Sequence, residues 1–96
     1  MPPDADIAAA ILALLKARNP AGERGAAGRS ICPSEAARAL ETEDAAWRAL
    51  MPDIRRVAAR LAEQGLIEAT QRGAPVDAER ARGPIRLRLS GSVEGV

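Results

Sequence analysis

The stretch PDIRRVAARLAEQGLIEATQR, residues 52–72, decides the fold, because its hydrophobic period changes once from helical to alternating. The apolar side chains with helical spacing are Ile54, Val57, Ala58 and Leu61. Gly65 then stands where a left-handed residue can end a helix, and an alternating pattern begins at Leu66. The stretch therefore predicts a helix over residues 52–64, followed directly by a strand over residues 66–72.

The residues that follow this stretch complete a hairpin. Ile85, Leu87 and Leu89 alternate with Arg86 and Arg88, which is the pattern of a half-buried strand. The connection over residues 73–84 is long and rich in glycine, proline and charge, which is typical of a wing loop and not of a tight turn. We therefore expect the two strands to pair as an antiparallel wing.

A first helix is predicted near the start of the chain. Asp4 or Asp6 can cap it, and it runs to about Arg18. Its buried stripe has helical spacing and comprises Ile7, Ala10, Ile11, Leu14 and Leu15. Residues 21–29 contain three glycines without apolar periodicity and are expected to form a mobile surface loop. Ser30 and Ile31 can then add one short strand.

Two further helices are predicted between this loop and the wing. Pro33 suits the first position of the second helix, since its missing N–H has no partner there in any case. A short helical segment over residues 44–51 carries Trp47, and Pro52 is expected to end that segment and begin the third helix. Trp47 and Leu12 fit either the core or a protein interface.

This order predicts a mostly α fold with a small β hairpin, and so an α+β class. The arrangement is a winged helix-turn-helix, with three helices followed by a two-stranded antiparallel wing. A chain of 96 residues has the length of one domain. We place that domain over residues 4–89 and expect residues 90–96 to be a disordered tail.

Composition excludes several classes of protein. Cys32 is the only cysteine and the chain has no histidine, which excludes a disulfide framework and the usual zinc sites. No apolar run approaches the roughly 20 residues that a membrane span needs. Without histidine to activate it, Cys32 is expected to be a small buried residue rather than a nucleophile. We expect a cytoplasmic protein without a metal or cofactor, and not an enzyme.

Four segments resemble a family of small bacterial winged-helix proteins known as a domain of unknown function. They are SICPSE at residues 30–35, WRALMP at 47–52, GAPVD at 73–77 and RGPIRLRL at 82–89. The similarity extends from Ile7 to Leu89. It implies the same fold and no particular activity, and the wider winged-helix superfamily implies DNA binding by analogy.

The basic residues are concentrated in the second half of the chain. Residues 1–54 carry six basic and eight acidic side chains, whereas residues 55–96 carry eight basic and five acidic ones. The predicted nucleic-acid contacts lie on the third helix and the wing loop: Arg55, Arg56, Arg60, Arg80 and Arg82. The alternative is an ordinary solvated helix face. Arg86 and Arg88 are expected to pair with Glu68 across the hairpin instead.

Two functions from different classes fit these features. The first is a DNA-binding or transcription-regulating module, with the third helix in the major groove of double-stranded DNA and the wing on its backbone. The second is a protein-interaction adaptor, and either could act as a homodimer. Because Arg55 and Arg56 lie off the buried stripe, replacing both is expected to leave folding nearly intact. No membrane partner is expected.

Overall fold

The computed structural model describes residues 1–91 and contains three helices followed by a small sheet. The elements are α1 (Asp4–Arg18), a 3₁₀ turn (Gly25–Ala27), α2 (Pro33–Leu40), α3 (Asp44–Glu63), β1 (Ile67–Gln71), β2 (Ala74–Pro75) and β3 (Arg86–Leu89). The strand order is β2-β1-β3, with antiparallel neighbours. The predicted α+β class is confirmed, and the arrangement is winged-helix-like.

The third helix begins eight residues earlier than predicted, because Pro52 lies inside α3 and does not interrupt it. A proline within a helix removes one backbone hydrogen bond and costs about 3 kcal/mol. Here the buried stripe stays in phase across the proline, since Leu50 and Ile54 lie one helical turn apart and both are buried. Packing of Trp47, Leu50 and Ile54 on one face outweighs the lost bond, and Pro52 itself is exposed.

The wing has three strands rather than the predicted two. Gln71 pairs with Ala74, which leaves Arg72 and Gly73 as a two-residue turn between β1 and β2. Proline is tolerated in β2 because β2 is an edge strand. The predicted connection over residues 73–84 therefore begins with a tight turn, a feature that its composition did not reveal.

The sheet closes over the helices on one side. β1 and β3 pair from Ile67 with Leu89 to Thr70 with Arg86, and an isolated bridge joins Ile31 to Leu87 where a short strand was predicted. The core comprises Ile7, Ile11, Leu15, Ile31, Ala36, Ala37, Trp47, Leu50, Ile54, Val57, Ala58, Leu61, Ile67, Ala69, Ala78, Ile85, Leu87 and Leu89. Trp47 is thus a core residue, whereas Leu12 is half-buried and packs at the core's margin.

The segment between α1 and α2 is fastened at both ends. Asn19 is buried, and its Nδ2 donates to the carbonyls of Leu15 (2.8 Å) and Arg29 (3.0 Å). Its Oδ1 accepts the N–H of Arg29 at 2.7 Å. Residues 21–29 are mostly exposed, as expected, but Gly25 is buried against Gly91. The Asn19 side chain therefore joins the two ends of the loop that the sequence pattern predicted to be mobile.

Only the first two residues of the predicted tail, residues 90–96, are described. Ser90 is buried and its N–H donates to the carbonyl of Leu66 at 3.2 Å. The rest of that predicted tail lies outside the described residues.

Candidate nucleic-acid interface

Arg55 connects α3 to the wing loop. Its Nη1 donates to the carbonyl of Ala81 at 2.8 Å, and its Nη2 donates to the carbonyl of Gly83 at 2.7 Å. Both bonds join residues more than 25 positions apart in the chain. Arg55 therefore holds the loop against the helix, and its guanidinium is directed at its own chain.

Arg56 and Arg60 connect α3 to the start of α1. Arg56 holds Asp4 with both nitrogens, at 2.7 and 2.9 Å, and also contacts Asp53 at 3.2 Å. Arg60 contacts Asp4 at 3.2 Å, and its side chain stays 61% exposed. The hydrogen bond from Arg56 holds the pKa of the Asp4 carboxyl below its usual value. Each of these arginines has an intramolecular partner.

These contacts bear on one expectation. Because Arg55 anchors the wing loop and Arg56 anchors α1, we expect replacement of both to be destabilising rather than neutral. The spacing of the two residues on the helix was predicted correctly, since both lie off the buried stripe. The sequence pattern shows that a side chain leaves the core, but not which distant segment it meets.

Arg72, Arg80 and Arg82 lie on the wing and differ from the arginines of α3. All three are exposed. Within the described residues, their guanidinium groups have no hydrogen bond or ion pair. Arg80 and Arg82 were among the predicted contacts, whereas Arg72 was not. Gly73 alone was the available signal of a turn here, since glycine suits a positive φ.

The segment that carries Arg82 is held on two sides. Arg55 binds the carbonyls of Ala81 and Gly83, while Nε2 of Gln71 donates to the carbonyls of Arg82 (2.6 Å) and Pro84 (3.2 Å). The carbonyls of residues 81–84 thus accept hydrogen bonds alternately from Arg55 and Gln71. The backbone beneath the Arg82 side chain is consequently preorganised before any partner arrives.

Two concavities flank this segment. One, of about 560 Å³, is lined by Gln71, Arg72, Arg82, Gly83 and Pro84. The other, of about 430 Å³, lies between α3 and the loop and includes Arg80 at its margin. Oδ1 of Asp77 accepts the N–H groups of Glu79 and Arg80, at 2.9 and 3.2 Å, which fixes the loop below Arg80.

Residues 4–90 match the sequence model of a family described as a protein of unknown function, DUF3253. The chain belongs to the DUF3253 family. This match covers the helices, the turn and the wing, and agrees with the resemblance to a domain of unknown function. A search of curated proteins found no match.

The exposed tip of α3 in this DUF3253 domain has mixed charge. Arg48 is exposed there and lies over the Trp47 ring at 4.7 Å, and Arg38 of α2 lies over the same ring at 4.4 Å. The turn before α3 contributes Glu41 and the exposed Glu43, and α3 itself begins with the exposed Asp44. The basic side chains that remain free in this DUF3253 domain are therefore concentrated on the wing more than at the helix tip.

The remaining arginines of the DUF3253 hairpin are structural. Nε of Arg88 donates to Oε1 of Glu68 at 2.9 Å, which confirms the predicted cross-strand pair. Arg86 does not join that pair, because it donates to Ser30 Oγ (2.9 Å) and Cys32 Sγ (2.7 Å) across the bridge to residue 31. Cys32 is a free, half-buried thiol rather than the fully buried residue expected.

A related cluster caps α2 of the DUF3253 fold. Glu35 forms a bidentate ion pair with Arg18 and accepts the Cys32 N–H at 2.8 Å. These bonds hold the pKa of Glu35 below its ordinary value. Over residues 1–91, no three potential metal-ligating side chains come together, and no helix has both the length and the apolar character for a membrane span.

Proposed function

We propose that this DUF3253 protein is a DNA-binding module of the winged-helix superfamily. In this proposal the wing contacts the phosphate backbone through Arg72, Arg80 and Arg82, and the exposed side of α3 faces the major groove. The setting we propose is transcription regulation in a bacterial cytoplasm, by analogy with the wider winged-helix superfamily. Double-stranded DNA is the proposed partner.

One observation carries the proposal: the wing presents three free guanidinium groups on a backbone that other side chains hold in place. Arg55, Gln71 and Asp77 fix the loop, while Arg72, Arg80 and Arg82 extend from it without intramolecular partners in the described chain. Fixing the loop reduces the conformational entropy lost on binding. Arginines without intramolecular partners, on a backbone that is already held in place, can therefore bind the phosphates of a polyanion at a low entropic cost.

The arginines of α3 have different roles in this proposal. Arg60 remains largely exposed beside its bond to Asp4 and can contact a flanking phosphate. Arg55 and Arg56 act mainly by positioning, since their donors already bind the loop and Asp4. Arg48 is the exposed basic residue at the tip of α3. This division assigns most of the backbone contacts to the wing.

A protein-interaction adaptor is the second candidate, and the turn before α3 favours it. Glu41, Glu43 and Asp44 would repel phosphates if the tip of α3 entered DNA deeply, whereas a basic protein partner would be attracted. The two candidates differ in salt dependence, because binding to DNA releases condensed counterions and its affinity falls steeply with salt.

The test compares two triple variants that lower the net charge equally. Changing Arg72→Asn, Arg80→Ala and Arg82→Ala is expected to reduce the slope of log affinity against log salt by about three for duplex DNA. The control changes Lys16→Ala, Arg24→Ala and Arg29→Ala, which are exposed positions outside the wing. Fluorescence anisotropy with a labelled duplex, from about 20 to 200 mM salt, measures both slopes.

The control variant is expected to keep a slope close to that of the parent. Equal loss in both variants would show that only net charge matters and would contradict a wing interface. Absence of salt-dependent duplex binding by the parent would reject the DNA proposal in favour of the adaptor.

A second prediction concerns Arg55 as a positioning residue. Arg55→Ala is expected to accelerate amide exchange at residues 81–83 and to weaken duplex binding by about threefold to tenfold, because the support beneath Arg82 is lost. Arg55→Lys keeps the charge but cannot donate to both carbonyls in the fork geometry of arginine. If Arg55→Lys binds duplex as the parent does while Arg55→Ala does not, charge and not loop support explains the effect.

A further inference from the structure

Arg72 has a backbone conformation that its residue type disfavours. Its φ is 54°, and it is the sole non-glycine residue with positive φ in the described part of the chain. Gly73 follows with φ 83°, and the pair forms the two-residue connection between β1 and β2. Two successive positive φ values in such a hairpin define a type I′ turn.

Arginine is a poor choice for the first position of this turn. Asn, Asp and Gly are preferred there, because a left-handed conformation brings the Cβ of other residues close to the following carbonyl oxygen. Left-handed residues of other types persist where the rest of the structure or a function maintains them. The conformation of Arg72 therefore lowers the stability of the hairpin.

The fold does not compensate through the Arg72 side chain. The side chain is exposed, and within residues 1–91 it forms no hydrogen bond, ion pair or ring contact. A neutral Asn would satisfy the turn better and would remove nothing from the core. No contact within the described chain accounts for an arginine here, which marks Arg72 as a candidate functional residue.

The surroundings of Arg72 indicate what that benefit is. Arg72 and Arg82 line the same concavity of about 560 Å³, and none of its five lining residues is acidic. The side chain of Gln71 donates hydrogen bonds to the carbonyls of Arg82 and Pro84, which fixes the backbone that carries Arg82. Two guanidinium groups on one open concavity supply the positive charge and the paired N–H donors that bind a phosphate group.

We infer that Arg72 and Arg82 form a phosphate-binding subsite at the wing turn, and that the left-handed conformation of Arg72 is maintained for it. The assignment to a DNA backbone phosphate rests on the proposed function. A free phosphate ion presents the same chemistry, and the experiment below separates the two sources.

The test uses Arg72→Asn, which relaxes the turn and removes the charge. The thermal midpoint is expected to rise by about 2–5 °C, while the duplex Kd increases about fivefold to tenfold. Arg80→Ala, which lies outside this concavity, serves as the control and is expected to weaken duplex binding without raising the midpoint. Opposite signs for stability and binding at one residue are the signature of the subsite.

The parent is titrated with inorganic phosphate while its amide NMR signals are recorded. A titration with chloride at equal ionic strength is the control. Shifts at residues 72, 73, 82 and 83 that vanish in Arg72→Asn support the subsite, even if the parent fails to bind duplex and the DNA proposal is rejected. A duplex Kd that Arg72→Asn leaves unchanged while the parent binds DNA overturns the subsite and leaves the DNA proposal standing. A lower thermal midpoint for Arg72→Asn also overturns it, because the arginine would then stabilise the fold. Absence of localised phosphate shifts in a parent that binds no duplex overturns both.

Discussion

Leu87→Ala is expected to lower the free energy of unfolding by about 3–5 kcal/mol. Leu87 is fully buried at the centre of the fold, where β3 pairs with β1 and also with the bridge at Ile31. Truncation removes the transfer free energy of the side chain and leaves a cavity. The rigid sheet on one side and the helices on the other can collapse into it only partly. Urea unfolding followed by circular dichroism measures the change.

Two other leucines provide matched controls, since the chemical change is the same in each. Leu61→Ala, at a position 5% exposed on α3, is expected to be destabilising by about 2–4 kcal/mol. Leu66→Ala, at a position 43% exposed, is expected to change stability by less than about 1 kcal/mol. If the Leu66 variant lost as much stability as the Leu87 variant, burial in this packing would not explain the series.

Asn19→Ala is expected to cost about 2–4 kcal/mol, although it removes only a short polar side chain. The substitution leaves the N–H and carbonyl of Arg29 without their amide partner, while the carbonyl of Leu15 keeps the backbone N–H of residue 19. Each buried polar group that loses its partner costs about 1–3 kcal/mol. Amide exchange should accelerate at Arg29 and through residues 21–29, because the same side chain closes that loop.

Asn19→Asp separates the loss of the donor from the loss of the acceptor. The new carboxylate can still accept the Arg29 N–H, but it faces the carbonyl oxygens of Leu15 and Arg29, which favours its protonated form and raises its pKa. Its destabilisation should therefore be larger at about pH 7 than at about pH 4, where a protonated carboxyl donates to one carbonyl. An unprotected Arg29 amide in the parent would contradict the proposed closure.

The helices and the hairpin were predictable because local periodicity reflects burial. The stripe of α3 and the alternation of β3 both appear in the sequence with the spacing that the structure shows. Pro52 misled the prediction of the start of α3, since a general preference against helical proline is weaker than continuous packing on both sides of it. The two-residue turn was missed because Arg72 is not a residue that type I′ turns favour.

The candidate site was predictable only in part. That Arg80 and Arg82 are exposed on the loop followed from composition, and the structure agrees. That Arg55 binds two loop carbonyls and Arg56 binds Asp4 did not follow, because those partners are 26 to 52 residues away. That Arg72 lines the same concavity as Arg82 did not follow from the sequence either, because the turn that brings them together was missed.

The sequence by itself determined the succession of helices followed by a hairpin, the buried stripe of α3 from Ile54 onward and the concentration of positive charge in the second half of the chain. These properties depend on neighbours a few residues apart, so periodicity and composition report them. The tertiary structure alone decided which arginines are bound by the fold and which remain free on the wing. That distinction depends on contacts between segments far apart in the chain, because a guanidinium group binds whichever carboxylate or carbonyl the packing places within reach.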